Sequence, residues 1–342
     1  METVVRTLAG VLEHGETRIF CCEGADDHHA PGVETMPSGS NRRRLLLERL
    51  RAFKPDVIEH HQQVKRAVAI AASMPEAAHL LYRHNALKAP DNGFDAWRYH
   101  RRYARLDGLI FVSEAERTQF ARAYPRFADK AWAVPNPIDA EPWLASPECR
   151  EPVIAFAGRA MAEKRVDVIC AALPEVLDRH PEWRAVLMLN DWDEHHRWAQ
   201  PHVAGLERYG GRVTILRSAP LAVVRRRMQS ASIALTPSTW DEPFGLTAVE
   251  AHAAGAALIS SGRGGLREAS GPHALYLNEV TARELSDAME HLIRNPSERL
   301  DLARAAQRYV TDVHSPQKRA RQLAEVKESI FRRIARRKSY AS

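Results

Sequence analysis

Residues 236–251 read Thr236-Pro237-Ser238-Thr239-Trp240-Asp241-Glu242-Pro243-Phe244-Gly245-Leu246-Thr247-Ala248-Val249-Glu250-Ala251. The stretch follows an apolar run ending at Thr236, turns through Pro and Gly, and enters an Ala-rich segment reaching about Ala254. That order is a buried strand feeding a helix. A helix N-terminus at Phe244–Leu246 offers free backbone N–H groups and the positive end of a helix dipole, a setting that suits a diphosphate. Glu242 stands just before the helix and Glu250 about two turns inside it, near enough to one face for both to meet an extended ligand. One acid then meets a sugar and the other a ribose diol. Glu250 alone reads as a solvated helix residue, but Ala251, Ala253 and Ala254 imply close packing, where an unpaired acid is costly, and this favours ligand contact.

The same strand-to-helix alternation extends in both directions, which is the mark of βαβ units and parallel sheets. Towards the N-terminus of this half, strands read at Val153–Ala157, Arg184–Leu189, Val213–Leu216 and Ile233–Thr236; beyond it, at Ala257–Ser260 and Ala274–Leu277. A Pro-dense segment, Pro135-Asn136-Pro137-Ile138-Asp139 followed by Glu141-Pro142-Trp143 and Ser146-Pro147, stops both helix and strand and reads as a linker. Before it, strands read at Thr17–Cys22, Asp56–His60, Ala78–Tyr82, Gly108–Val112 and Ala131–Val134, with amphipathic Arg42–Phe53 and Glu114–Tyr124 between them. The expected organisation is therefore α/β, with two Rossmann-like, doubly wound domains facing a cleft: residues 1–138, residues 139–314, and a basic helix over residues 315–342 that packs back on the first. The chain opens on a helical pattern, Glu2–Leu12, with no strand before it, so the first domain is expected to lack its first strand.

Composition narrows the classes of function. The 342 residues are 45% hydrophobic and 27% charged, enough for two cores and too apolar for a disordered chain. The net charge of +6 is concentrated at the end: between Ser315 and Ser342 nine Lys/Arg face two acids, which leaves the remainder near neutral. A nucleic-acid partner is not expected. Cys21, Cys22, Cys149 and Cys170 form no CxxC pair or framework, and neither a basic-then-apolar leader nor an 18-residue apolar run occurs, which points to a reduced cytoplasmic compartment. Gly-x-Gly-x-x-Gly after the first strand, a Walker loop and a Gly-x-Ser-x-Gly elbow are all missing from the sequence.

The Glu242-Pro243-Phe244-Gly245-Leu246…Glu250-Ala251 pattern, two glutamates with seven residues between them, resembles the hallmark of retaining GT-B glycosyltransferases of glycosyltransferase family 4. Phe156-Ala157-Gly158-Arg159 with Glu163-Lys164 is similar to that family's strand-loop-helix element, where an Arg and a Lys neutralise the donor diphosphate. Gly264-Gly265-Leu266-Arg267-Glu268 resembles its Gly-Gly-x-x-Glu turn. Pro135–Asp139 resembles its interdomain Pro-Asn-Gly-x-Asp segment, with Pro137 replacing Gly. Pro55–His60, Arg83-His84-Asn85 and Phe111–Glu114 follow its strand-end motifs. The family's opening strand and Gly-Gly turn lie ahead of a helix like Glu2–Leu12, and its Gly-rich loop after Leu189 is replaced here by Asn190-Asp191-Trp192-Asp193.

The resemblance implies transfer of a hexose-type sugar from a nucleotide-sugar, such as a UDP- or GDP-sugar, to a glycan or lipid-linked acceptor, without a metal or other cofactor. It implies Arg159 and Lys164 on the leaving diphosphate, Gly158, Phe244, Gly245 and Leu246 against the donor, Glu242 on the sugar, Glu250 on the ribose and His84 on the sugar or acceptor side. His84 also reads as a plain hydrogen-bonded histidine. His60 and His61 are weaker candidates for the role given to His84, and the adjacent His28-His29 and His195-His196 have no partners at metal-ligand spacing, which reads as a loop or a solvated helix face. A non-catalytic nucleotide-sugar-binding protein, or another GT-B reaction such as epimerisation, is the alternative. In the last helix Leu323, Val326, Ile330 and Ile334 form an apolar stripe, and Arg332, Arg333, Arg336, Arg337 and Lys338 either finish it as a solvated tail or contact anionic lipid headgroups.

Overall fold

The structure, a computed structural model, describes residues 2–11, 15–22, 32–86, 90 and 92–341. It divides into two compact units, one made of Met1–Val134 with Arg319–Ser342 and the other of Pro135–Lys318. Among the described residues there are three sheets, and every strand pair in them is parallel.

The first unit runs α1 (Glu2–Ala9), β1 (Ile19–Cys22), β2 (Val33–Met36), α2 (Arg42–Phe53), β3 (Val57–His61), α3 (Val64–Ala71), β4 (Ala78–Arg83), α4 (Gly93–Tyr103), β5 (Gly108–Phe111), α5 (Glu114–Ala123) and β6 (Ala131–Ala133). Strands β3-β4-β5-β6 form one sheet, and β1 pairs with β2 in a separate two-stranded sheet. Leu80, Leu81, Leu109 and Ile110 are fully buried, as strands covered on both faces require. Strand β2 escapes sequence reading because Val33-Glu34-Thr35-Met36 is short, carries a charge and stops at Pro37. Leu12 of the expected first helix lies outside the described residues, as do His28 and His29.

The second unit continues with β7 (Glu151–Arg159), α6 (Val166–Arg179), β8 (Arg184–Asn190), α7 (Trp192–Ala204), β9 (Val213–Arg217), α8 (Leu221–Ser230), β10 (Ala231–Thr236), α9 (Leu246–Ala253), β11 (Ala257–Ser260), α10 (Leu266–Ser270), β12 (Leu275–Tyr276), α11 (Ala282–Arg294) and α12 (Pro296–Val313). Its six strands lie in the order β9-β8-β7-β10-β11-β12. Counted within the unit this is 3-2-1-4-5-6, the doubly wound dinucleotide-fold order, whose direction reverses between β7 and β10. A crevice at the carboxyl ends of the strands is built where that reversal occurs. Ile154, Leu187, Ile233 and Ile259 from the four central strands meet α6 and α11 in one core.

Helix α13 (Pro316–Ala341) contributes to the first unit from Arg319 onward. Leu323, Val326 and Ile330 are buried, and a Cβ on Gly108 would come within 2.6 Å of Ile330 Cδ1, so this glycine is what lets the helix approach β5. Gln322 donates to the Ala133 carbonyl at 2.9 Å, and Lys327 pairs with Glu59. Arg333 donates to the carbonyls of Asp107 and Asp129 and lies over the Trp132 ring at 5.3 Å. This arginine of the basic cluster is thus engaged inside the fold.

Candidate functional site

The crevice between β7 and β10 is framed by the loops that leave those two strands. After Arg159 the chain makes a 3-10 turn over Ala162–Lys164, and Arg165 enters α6 with a left-handed backbone, φ 55°. After Thr236 the second loop is tied to the first by its backbone: Thr239 N donates to the Glu163 carbonyl at 2.9 Å and Ser238 Oγ to the same oxygen at 3.0 Å. These ties bring Lys164 and Glu242 into an ion pair, with side chains 20% and 13% exposed. Arg159 projects from the end of β7, exposed and without a side-chain partner among the described residues.

The Glu242 loop is held from behind by glycine. Gly264 pairs with Glu242 in a parallel bridge, and Gly265 N donates to the Glu242 carbonyl at 2.7 Å. A Cβ on Gly264, whose φ is +58°, would sit 2.4 Å from that carbonyl oxygen, and one on Gly265 2.5 Å from the Pro243 oxygen. The two backbones therefore touch in a way only glycine permits. Phe244 is buried edge-on against His314 at 5.2 Å and anchors the loop.

Gly245, φ +106°, caps α9, so the helix begins at Leu246 and Glu250 lies little more than one turn inside it. The sequence pattern suggests two turns; the difference arises because Phe244 and Gly245 shape the turn before the helix. No side chain caps this N-terminus; Ala248 N donates to the Gly245 carbonyl at 3.0 Å, and the amides of Leu246 and Thr247 have no partner among the described residues. Glu250 is half-buried, and burial pushes its carboxyl up to about 7, partly offset by Arg225 of α8. Arg225 lies over the Trp143 ring at 5.4 Å, and its Nε is buried without a partner among the described residues.

His84 belongs to the first unit, just past the end of β4. Its ring stacks on Tyr82 at 4.7 Å, and its Nε2 shares a 2.9 Å hydrogen bond with His61 Nδ1. Gln62 accepts from the backbone N–H groups of His84 and Asn85 at 2.9 and 3.2 Å and so fixes the turn. Burial, then the neighbouring His61, pushes the His84 imidazole down to about 3, so it is neutral in the physiological range. Its Nδ1 is buried with no partner among the described residues. His60 faces elsewhere: it meets His79 Nδ1 at 3.0 Å, and His79 Nε2 in turn donates to the Met74 carbonyl at 2.8 Å.

The chain matches the family description "Glycosyltransferase Family 4" over residues 1–142 and "Glycosyl transferases group 1" over residues 145–309. It belongs to this glycosyltransferase family. Among similar curated proteins, the D-inositol 3-phosphate glycosyltransferase of Corynebacterium aurimucosum is 30% identical over 164 residues, 45% of this chain and 38% of that one. The glycogen synthase of Mycobacterium tuberculosis is 28% identical over 298 residues, 79% of this chain and 68% of its own. This chain thus spans about two fifths of the first relative and about two thirds of the second. Anabaena HepE, solved with UDP and glucose, superposes with a TM-score of 0.77 at 20% identity, covering 96% of this chain and 95% of HepE, which establishes the shared GT-B fold.

Within this family 4 chain, the second unit holds Gly158, Arg159, Lys164, Glu242, Phe244, Gly245, Leu246 and Glu250, at the end of β7, on the loops after β7 and β10 and on α9. His84 is in the first unit. In the loop after β8, where the family's Gly-rich loop is replaced, Asp191 takes a left-handed backbone, φ 53°, as does Ser218 just after the neighbouring β9, φ 46°. Aspartate tolerates that conformation better than most residues, so the turn survives without glycine. Trp192 beside it is covered by the Arg217 guanidinium at 4.7 Å. Sequence reasoning missed Arg225 and underrated His61. The signal for His61 was available: β3 and β4 are adjacent parallel strands, and His61 and His84 stand at their neighbouring carboxyl ends. For Arg225, on a separate helix, no local pattern pointed to Glu250. His195 and His196 sit on α7, where His196 is exposed and bonded to the Asp193 carbonyl at 2.9 Å.

Proposed function

We propose that the chain is a retaining, metal-independent hexosyltransferase using a nucleotide-sugar donor and a glycan or lipid-linked acceptor, acting on the cytoplasmic side in cell-surface polysaccharide or lipopolysaccharide assembly. The observation that carries this reading is the coincidence of the Lys164–Glu242 pair, Arg159 and the uncapped N-terminus of α9 at the strand-order reversal of a doubly wound sheet. The UDP and glucose seen on HepE favour a UDP-sugar donor.

In this mechanism the second unit holds the donor. Arg159, Lys164 and the α9 amides take the diphosphate, so that charge developing on the departing phosphate meets two cations and fixed dipoles in place of a metal. Lys164 leaves Glu242 to do so. The freed Glu242 carboxylate then accepts from sugar hydroxyls, while Phe244, Gly245 and Leu246 line the sugar-phosphate path. Glu250 accepts from the ribose diol. The bond from the anomeric carbon to the phosphate breaks, the acceptor oxygen bonds to that carbon on the same face through an oxocarbenium-like state, and the acceptor proton passes to the phosphate. The first unit holds the acceptor, with neutral His84 offering Nδ1 to a sugar or acceptor hydroxyl.

The test is a binding screen of UDP, GDP and their hexoses, followed by donor turnover with and without acceptor in the presence of chelator. Nucleotide binding, acceptor-dependent and chelator-insensitive release of the diphosphate, and retained anomeric configuration by NMR are expected. A chain that binds none of these nucleotides refutes the reading; binding without turnover would make it a nucleotide-sugar-binding protein instead.

A further inference from the structure

Glu59 and His61 share one face of strand β3, and His61 stands opposite Tyr82 of the neighbouring parallel strand β4, two residues before His84. The Glu59 carboxylate is divided between two neighbours. Its Oε1 pairs with Lys327 of α13, and its Oε2 faces His61 Nε2 at 3.9 Å. The other ring nitrogen of His61, Nδ1, shares the 2.9 Å hydrogen bond with His84 Nε2, and His84 Nδ1 is buried with no partner among the described residues. Lys327, Glu59, His61 and His84 thus form one line of polar contacts that starts on the last helix and ends at an unused ring nitrogen. Tyr82 holds the two rings in that line, stacking on His84 at 4.7 Å and on His61 at 5.5 Å, while its own hydroxyl donates to the Val134 carbonyl at 2.7 Å.

A hydrogen bond shared by two neutral imidazoles can run in either direction. Either His61 Nδ1 donates and His84 carries its proton on Nδ1, or His84 Nε2 donates and Nδ1 is left as a lone pair. Burial pushes both imidazoles below their ordinary value, so both are neutral. The carboxylate decides between the two directions. At 3.9 Å it is too far for a direct hydrogen bond, but its negative field favours the proton on His61 Nε2, the nitrogen it faces. With that nitrogen protonated, His61 Nδ1 must accept and His84 Nε2 must donate. We infer that Glu59 is a positioning residue for the reaction: held by Lys327, it fixes the tautomers of His61 and His84 so that His84 presents a lone pair on Nδ1 to a hydroxyl of the bound sugar or acceptor. The inference rests on the transferase reading above. A hydroxyl can donate to that lone pair, whereas a carboxylate or ether oxygen has no hydrogen to offer, so the group that reaches His84 is an alcohol. The last helix therefore contributes to the site as well as to packing.

Heteronuclear NMR of the full chain with isotope-labelled histidine reads the tautomer of each ring, and His84→Asn assigns the His84 signals by their loss. The wild type should show His61 and His84 each protonated on Nε2 and bare on Nδ1. A proton on His84 Nδ1 overturns the inference and leaves the transferase reading standing. Glu59→Gln keeps the shape without the charge. It should admit the other tautomer at His84 and lower kcat for donor turnover about tenfold or more, the scale of losing a carboxylate that orients a functional histidine, with donor KM and UDP affinity unchanged. Lys327→Met frees the carboxylate to turn towards solvent and should have the same two effects; Lys327→Arg, which keeps a cation on Glu59, should restore what Lys327→Met loses. Variants that lower only Tm, with kcat and the His84 spectrum as in the wild type, make the Lys327–Glu59 pair a packing contact and overturn the inference. A wild type that shows the expected tautomers but turns over no nucleotide-sugar removes the transferase reading, and with it the use of this line of contacts in catalysis.

Discussion

Replacing Glu250 with glutamine separates what this carboxyl costs the fold from what it contributes to binding. In the unfolded chain the group titrates near 4.5; in the fold burial raises it to about 7, and Arg225 offsets only part of that. A raised carboxyl pKa means the folded state prefers the protonated form. The stability this confers is complete below about 4.5 and is lost as pH rises through about 7. At about 1.4 kcal/mol per tenfold, the wild type gives up on the order of 3 kcal/mol between pH 4.5 and pH 8. Glutamine keeps the shape without the charge and escapes the loss.

Thermal unfolding at pH 4 and pH 8 measures the difference. The Glu250→Gln variant should match the wild type at pH 4 and exceed it at pH 8 by roughly 6–12 °C, the shift that ~3 kcal/mol produces in a domain the size of the second unit. The same substitution should weaken UDP binding by about ten- to a hundredfold, through loss of charge-assisted bonds to the ribose. Near pH 6.5, wild-type UDP binding should release a proton, because hydroxyl donors on the carboxylate lower its pKa; titrations in buffers of different ionisation enthalpy would show it. An equal stability difference at both pH values would refute the burial argument. Unchanged UDP affinity would remove Glu250 from the ribose site.

Arg159→Ala and Lys164→Ala should each lower kcat about a hundred- to a thousandfold, the scale of losing one donor to a developing charge, as read by steady-state donor turnover. Gly264→Ala must push the Glu242 backbone away from a contact of 2.4 Å, so it should lower both Tm and kcat, by at least about 1–3 kcal/mol in stability, measurable by differential scanning calorimetry. His84→Asn should depress kcat while sparing UDP affinity; because the imidazole titrates near 3, the wild-type pH-rate profile should show no inflection near 6.5 that the variant lacks.

Sequence reading succeeded where one strand, one turn and one helix start lie consecutively. The Ile233–Ala251 run gives a buried strand, a glycine turn and a helix start, although the structure puts Glu250 little more than one turn into that helix where the sequence suggests two. Parallel strands buried on both faces are short apolar runs, which is why β4, β5, β8 and β10 were legible. Strand β2 was not, since four residues with one charge make no such run. The pairing of Lys164 with Glu242 was also hidden: it depends on Thr239 and Ser238 reaching Glu163 across 75 or more residues of sequence, which no local pattern encodes. The Gly-Gly turn was recognisable as a motif, but its purpose, a backbone contact too close for any Cβ, became visible only in three dimensions.

The charge arrangement at the crevice follows from burial. Lys164 and Glu242 are mostly shielded, and leaving either unpaired in such a place is costly. Pairing them holds both in position, and in the proposed mechanism a ligand then offers each a better partner: phosphate for the ammonium, hydroxyls for the carboxylate. Arg159 is exposed, so water already satisfies it, and it needs no partner while the site waits. A diphosphate sugar is a ligand that supplies both replacements at once, with an anion at one end and hydroxyls a bond or two away. Free phosphate would release Lys164 but strand Glu242. UDP-glucose should therefore bind more tightly than UDP in the wild type, and Glu242→Gln should erase that preference; a wild type that binds UDP and UDP-glucose equally would show that the pair does not exchange as a unit.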